Sequence, residues 1–518
     1  MKVRLLHPND DVELKPQLPE ELSDLVNDDL ELDRLYEAMG AGDRYLREAG
    51  KKVLPLTVSD PDVIIYRQHV LGDCLANRAV VRRIYAMTSE VEGIALRHKV
   101  FLGGLRSNDA QLMLRRSVRI LELLLKTLRL LRRLASDHAD RFRSAGFRQF
   151  FAMLTDQLSD DYLSQVDEYL SELQLPRGLL LSAQLGMGNK GEGHLLHQPT
   201  QRGRGWWAKL AANPTESREF SIDPDDMAGE QALSALGGHA VNDVANTVTQ
   251  AAEHFQSFFG RLRTELGFYL GCLNLRDELT RRHVPICFPE PIPVGAPRFR
   301  CRGLRDVALC LSIGKMVTGN DVEADGKTLI VVTGANEGGK STFLRSVGAA
   351  QLMMQAGMFV AAEAFSANVR GRVFTHFKRE EDANLRHGKL EEELGRLSQI
   401  VDHIEPTSLL LCNESFSSTN ELEGSQIARG IVRAMVEGGV KVFFVTHLYD
   451  FAHSLYARDD PADLFLRAER RSDGVRTFRL VPGEPESTSY GQDSFRRIFG
   501  VAAQLKLCSD QPLVDTES

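Results

Sequence analysis

The sequence predicts an α/β domain built on a parallel sheet, preceded by a mostly α-helical region. Three observations carry that expectation. Residues Thr328–Thr333 (TLIVVT) form an unbroken β-prone run, as expected of a strand buried on both faces of a parallel sheet. The residues that follow, Gly334–Ser341 (GANEGGKS), match G-x-x-x-x-G-K-[ST], and the chain from Thr342 onward reads as helix. Much of the chain before residue 280 spaces its apolar side chains at the 3.6-residue period of a packed helix.

Strand, glycine-rich loop and helix in register identify a phosphate-loop (P-loop) NTPase fold, and the chemistry accounts for the residue types. Gly334, Gly338 and Gly339 allow backbone N–H groups to turn inward on a phosphate, and the positive N-terminus of the helix starting near Thr342 adds to the field. Lys340 is expected to reach the β- and γ-phosphates of ATP, and the Ser341 hydroxyl to be a ligand of Mg²⁺. A glycine turn kept only for packing would not need all three parts in order.

At 518 residues the chain is long enough for two or more domains with buried cores. A formal net charge of −8 does not mark a nucleic-acid binder, so any such surface has to be local. The N-terminus lacks a signal-like apolar run, and the apolar stretch Ile120–Ala135 is interrupted by Lys126, Arg129, Arg132 and Arg133, so no membrane span is expected. Seven dispersed cysteines, without a C-x-x-C pair, fit reduced thiols in a cytoplasmic protein.

Taken in order, Leu22–Val26 and Leu30–Tyr36 carry helical spacing, Gly40–Gly42 marks a turn, and Leu54–Pro61 a proline break before a helix from Val63. Asn108–Ala135 is the clearest helix, with Leu112, Leu114, Val118, Leu121, Leu125, Leu128 and Leu131 on one face. Its Arg115, Arg116, Arg119, Arg132 and Arg133 are candidate phosphate contacts to DNA, weighed against an ordinary solvated face. Residues 176–226 change texture to a loop- and strand-rich insertion that includes Trp206-Trp207 among basic residues. Gly237–Leu279 is helical again, and the proline-punctuated His283–Gly295 is the boundary, so the helical region is expected over 1–280 and the α/β domain over 281–518. A β-hairpin is expected over Leu464–Val481, turned at Asp473-Gly474.

Two more buried strands end in polar groups. Leu409–Cys412 runs into Asn413-Glu414, where phosphate-loop ATPases place an Asp that orders the Mg²⁺ shell and then a Glu that polarises the attacking water. The Asn413 carbonyl can still accept from a metal-bound water but brings no charge, while Glu414 keeps the water-activating carboxylate. Val440–Thr446 ends at His447, a position suited to sensing the γ-phosphate.

These residues resemble the ABC-like ATPase domain of the MutS mismatch-repair family. Its loop G-P-N-M-x-G-K-S-T is similar to Gly334–Thr342, its D-E-x-G-x-G-T-S-T-x-[DE]-G to Asn413–Gly424, its A-T-H-[YF] to Val445–Leu448, and its S-Y-G to Ser489-Tyr490-Gly491. Val317–Asp321 resembles the adenine-side loop, which implies nucleotide contact at Asn320, and the family position of Asn336 implies that it faces the β,γ-phosphates. The resemblance implies a helical core and lever region, a head-to-tail homodimer through the ATPase domain, and DNA gripped by helical arms that ATP opens and closes, in repair or recombination. The departures imply a member without the N-terminal mismatch-recognition domain, since no Phe-x-Glu motif stands near the N-terminus, and without the C-terminal Smr domain, which argues against the recombination-suppressing branch. The family's signature serine is replaced by the stretch around Gly388 and Lys389. Slow hydrolysis in a nucleotide-gated dimer, or a protein partner instead of DNA, are the alternatives these departures suggest.

Overall fold

Apolar runs and capping residues cut the chain into elements much as expected. The computed structural model describes residues 1–9, 17–100, 110–174, 180–185, 191–197, 227–379, 388–471 and 475–486. The helices before the first sheet are α1 (Glu20–Asp29), α2 (Leu32–Gly40), α3 (Arg44–Val53), α4 (Pro61–Ala76), α5 (Arg78–Val100), α6 (Ala110–His138), α7 (Ala145–Gln157) and α8 (Asp160–Leu173). A hairpin β1 (Leu180–Leu185) and β2 (Gly191–His197) precedes the 55-residue α9 (Met227–Arg281). There follow β3 (Glu290–Ile292), β4 (Phe299–Leu304), α10 (Val307–Ser312), β5 (Asn320–Glu323), β6 (Leu329–Thr333), α11 (Lys340–Gln355), β7 (Ala364–Asn368), β8 (Val373–Phe377) and α12 (Lys389–Val401). The chain continues through β9 (Leu409–Asn413), α13 (Glu421–Glu437), β10 (Lys441–Val445), α14 (Tyr449–Tyr456), β11 (Asp463–Arg470) and β12 (Arg476–Pro482). Side-chain oxygens start several helices: Asp43 accepts from Tyr45 N at 2.8 Å for α3, and Asn420 from Glu423 N at 2.9 Å for α13.

Two compact units result. The first comprises residues 1–3, 77–143 and 147–266. In it, α6 buries Leu114, Val118, Leu121, Leu125, Leu128 and Leu131, the face its period predicts. Phe142 and Phe151 meet edge to face, their centroids 5.0 Å apart, while Ser117 and Thr249 hydroxyls join α6 to α9 at 2.8 Å.

The second unit holds residues 4–76, 144–146 and 267–518. Its main sheet has the order β12-β11-β6-β10-β9-β8, parallel throughout except for β12. Every residue of β6, β8 and β10 is buried, which is why their sequences are mostly apolar without alternation; the exceptions, Thr333, Thr375, His376 and Lys441, are buried as well. A smaller sheet, β3-β7-β4-β5, completes the unit. The expected hairpin is β11–β12, and its Asp473-Gly474 turn lies outside the described residues, as do Trp206-Trp207 and Ser489–Gly491.

This division departs from a cut at 280. Residues 4–76 pack with the nucleotide-type sheet, because they supply its apolar cover. A Cβ on Gly348 of α11 would come within 2.7 Å of both Leu30 and Leu411 side chains, so the chain between α1 and α2 sits directly on the loop helix. Arg345 of α11 reaches Glu31 at 2.7 Å and Asp306 at 2.9 Å, and Thr57 Oγ1 donates to Gly371 O at 2.7 Å. Among the described residues no helix is long and apolar enough to cross a membrane. Burial pushes the thiols of Cys301, Cys310 and Cys412 up to about 12, so none is a ready thiolate.

Candidate nucleotide site

The carboxyl ends of β6, β9 and β10 bring the expected residues together. The loop after β6 turns through positive φ at Gly334 (104°), Glu337 (57°) and Gly339 (90°), so consecutive N–H groups leave the strand direction before α11 begins at Lys340. Packing reinforces the glycine requirement. A Cβ on Gly338 would lie 2.6 Å from Ala468 Cβ, and one on Gly334 2.9 Å from Ala468 N, so β11 presses the loop into its shape. Asn336 is exposed at the tip, without a hydrogen-bond partner among the described residues, and Thr342 is half-buried in the first turn of α11.

Lys340 is 5% exposed and its ammonium folds back into the loop, donating to Gly334 O at 2.9 Å and Ala335 O at 3.1 Å. Burial lowers its pKa, with the Glu414 carboxylate acting to raise it and the Arg476 guanidinium to lower it. His447 Nε2 stands 3.3 Å from Lys340 Nζ and 3.1 Å from Glu414 Oε1. One ring nitrogen cannot accept from the ammonium and donate to the carboxylate in the same tautomer, so its proton reports which neighbour it serves. Beside them Ser341 Oγ donates to Asn413 Oδ1 at 2.9 Å.

Ser341 Oγ, Asn413 Oδ1 and the Glu414 carboxylate are hard oxygen donors at the head of α11 and the end of β9, a set that suits Mg²⁺ carried in with phosphate oxygens. No group of three or more His, Cys, Asp or Glu side chains among the described residues makes a metal cage by itself. The donors therefore fit a cation that needs the nucleotide to complete its shell.

The conformation of this site rests on contacts that the sequence motifs do not show. Glu414 and Phe416 adopt φ of 55° and 62°, conformations that cost on the order of 1 kcal/mol or more each for side chains other than glycine. The turn is held by Glu393 of α12, 3% exposed, whose carboxylate accepts from Phe416 N at 3.1 Å and Ser418 Oγ at 3.0 Å. A Cβ on Gly424 would sit 2.4 Å from Phe416 O, and Glu414 N donates to Val445 O at 2.9 Å. Glu393 lies in an acidic run, Glu391–Glu393, in the first turns of α12. Arg476 of β12 forms an ion pair with Glu337 of the loop, which brings the hairpin to the phosphate cradle.

Asn320 departs from its expected role. It is buried, and its amide is spent on β12: Oδ1 accepts from Leu480 N at 2.8 Å and Nδ2 donates to Phe478 O at 3.4 Å. It joins β5 to the hairpin instead of presenting a side chain to a base. Gly388 is exposed and is the N-cap residue of α12.

In the first unit the basic face of α6 separates into two sets. Arg132 pairs with Asp160 and Arg129 with Asp167 of α8, so the expectation that these cations meet few acids, and that Arg132 is a free phosphate contact, fails. Arg115, Arg116, Arg119 and Arg133 keep no ion-pair partner among the described residues; Arg115, Arg119 and Arg133 are exposed and Arg116 half-buried. At about 100° per residue, Arg115, Arg119, Lys126 and Arg133 fall within roughly 40° of one another, a stripe about 27 Å long.

Comparison with known proteins matches two stretches of the chain, one on each side of residues 283–329. Residues 59–282 match the family model described as MutS2 N-terminal domain, and residues 330–501 the one described as MutS domain V. A DNA mismatch repair protein MutS from Synechococcus sp. (strain CC9605) is 29% identical over 181 residues, covering 35% of this chain and 20% of that protein. MutS protein homolog 4 from Mus musculus is 26% identical over 188 residues, again 35% and 20%. DNA mismatch repair protein MutS 2 from Haloarcula marismortui is 32% identical over 177 residues, 34% and 18%. The chain thus spans about a fifth of the length of these relatives. With the loop, the two strand-end motifs and both domain matches in hand, the chain belongs to the MutS family.

Proposed function

We propose that this chain is a DNA-responsive ATPase: it binds ATP·Mg²⁺ at the carboxyl edge of the main sheet, and hydrolysis moves the helical first unit between DNA-gripping and releasing states. The single observation that carries the reading is the cluster Lys340, Ser341, Asn413, Glu414 and His447, assembled from three strand ends around one loop. Lys340, together with the amides of Gly334–Gly339, binds the β- and γ-phosphates, exchanging its loop carbonyl partners for phosphate oxygens. Mg²⁺, when bound, would supply positive charge to offset that of the phosphates. Ser341 and Asn413 hold its side of the site; Glu414 orients the attacking water and takes its proton; His447 moves its hydrogen bond between Glu414 and the γ-phosphate.

The partner is a second copy of the chain, whose α12 N-terminus, at Gly388 and Lys389, faces the γ-phosphate as the family arrangement implies. The unpaired stripe of α6 supports phosphate-backbone contact, since clustered Arg and Lys gain affinity by displacing counterions. A second reading, a nucleotide-gated dimer that hydrolyses slowly, is favoured by the neutral Asn413 where a carboxylate usually helps hold the metal.

The test is steady-state hydrolysis by the full chain, titrated with single-stranded, duplex, mismatched and branched DNA at two salt concentrations. Stimulation lost at high salt is expected. Tight ATP binding with a rate indifferent to every DNA would leave the gated dimer. In Glu414→Ala, ATP binding persists and turnover falls by on the order of 10²–10⁴; retained turnover would remove Glu414 from its role.

A further inference from the structure

The opposite end of the main sheet holds a second polar site. Thr328, Thr407 and Lys441 stand at the amino ends of β6, β9 and β10, and Asn368–Arg370 leave β7 beside them. Together with Gly295, Pro297 and Gly439 they line a cavity of about 220 Å³. Ligands of open α/β sheets usually sit at the carboxyl ends of the strands, so the phosphate loop does not account for this one.

Two cations line it. Arg370 is 8% exposed, and its guanidinium has no hydrogen-bond or ion-pair partner among the described residues; only its backbone is tied, to the Gln355 side chain. Lys441 is 3% exposed, donates to Lys327 O at 2.9 Å, and lies 5.6 Å from the Phe299 ring centroid and 5.9 Å from that of Phe443. Among the described residues no Asp or Glu lines the cavity. The carboxylate that attracts Lys441, Asp325, is already engaged by Phe299 N at 3.1 Å and Arg300 Nε at 2.7 Å. The cost of this arrangement shows in the protonation equilibria: burial and the Arg370 charge push Lys441 down to about 7, and burial pushes Arg370 down to about 10.

Buried cations are ordinarily paired, and an unpaired pair of like charge is costly. We propose that this cavity binds a small tetrahedral oxyanion, inorganic phosphate or the phosphoryl group of a small phosphomonoester, between Arg370 and Lys441. The planar Arg370 fork takes two oxygens and the Lys441 ammonium a third, with the small residues Gly295 and Gly439 leaving the room. The site is independent of the ATP reading, because it shares no residue with the phosphate loop.

The experiment measures thermal unfolding of the full chain, with the phosphate loop saturated by a non-hydrolysable ATP analogue and Mg²⁺, in inorganic phosphate, glycerol phosphate or chloride at matched ionic strength. Phosphate at ten times its dissociation constant is expected to raise Tm by on the order of 2 °C over chloride. Arg370→Gln and Lys441→Met each abolish that response while leaving the Tm in chloride unchanged or higher, because each removes a repelling buried charge. Arg370→Lys keeps the charge without the fork and is expected to weaken phosphate by about tenfold, a guard against variants that simply fold badly. A response to both phosphates assigns the phosphoryl group as what is read; a response to inorganic phosphate alone assigns a closed site for the free ion. No response in the unsubstituted chain, or an undiminished one in Arg370→Gln and Lys441→Met, overturns the proposal.

Discussion

Ser341 Oγ donates to Asn413 Oδ1 across 2.9 Å, tying the first turn of α11 to the end of β9 through a bond between two neutral groups. A carboxylate at the same place would bring a formal charge to the metal side of the site. Asn413→Asp is therefore expected to lower the Mg²⁺ concentration needed for half-maximal ATP turnover, by roughly tenfold, the equivalent of about 1.4 kcal/mol. A Mg²⁺ titration of the hydrolysis rate checks this. An unchanged midpoint would mean that Asn413 does not lie next to the cation.

Arg476 and Glu337 make a different kind of contact. An acid in a phosphate loop repels a triphosphate, and the ion pair to Arg476 offsets that charge. Arg476→Ala is expected to weaken ATP binding by about tenfold or more, and Glu337→Gln in the same chain to restore most of the loss, as a double-mutant cycle would report. Additive effects of the two changes would show that Arg476 serves the hairpin alone.

His376 ties stability to pH. Its ring lies 2.7 Å from Ser415 Oγ and 3.0 Å from Glu393 O, is 1% exposed, and is held by burial down at about 4, below the ordinary value of about 6.5. The unfolded chain takes up its proton near 6.5 and the folded chain only near 4, so this contribution is complete above about 6.5 and is lost as pH falls through that window. Urea titrations from pH 7.5 to 4.5 should show stability declining towards a total loss of roughly 3 kcal/mol from this group. His376→Gln should flatten that slope; an identical slope would assign the dependence to other groups.

The two sets of arginines on α6 should respond differently to substitution. Replacing Arg115, Arg119, Lys126 and Arg133 one at a time by Ala is expected to reduce the slope of log affinity for duplex DNA against log salt by about 0.9 for each phosphate that is no longer neutralised. Arg132→Ala should leave that slope alone, since its charge is committed to Asp160. Equal slopes throughout would remove α6 from the DNA surface.

Much of the candidate nucleotide site was legible in sequence because it is local. A glycine pattern between an apolar strand and a helix needs no distant residue to be recognised, and the strand ends at Asn413-Glu414 and His447 have only one polar edge to point to once their apolar runs are laid in a parallel sheet. The resemblance added order and spacing, and the two domain matches agree with it. Glu393 went unread in sequence, because helical periodicity does not distinguish a solvated carboxylate from one that accepts from Phe416 N.

The sequence alone determined the phosphate loop, the three strand ends and the helical period of α6, all of which depend on neighbours within a few residues. Tertiary structure decided the rest. Residues 4–76 join the nucleotide unit because Leu30 and Glu31 find partners on α11, more than 300 positions away in the chain. Asn320 turns from a candidate ligand into a tie because Leu480 N and Phe478 O lie across from it. Arg132 loses its candidacy to an aspartate on another helix, and Arg370 and Lys441 meet at one cavity although 71 residues apart in number. Burial and charge pairing are properties of position in space, and only the packed chain assigns them.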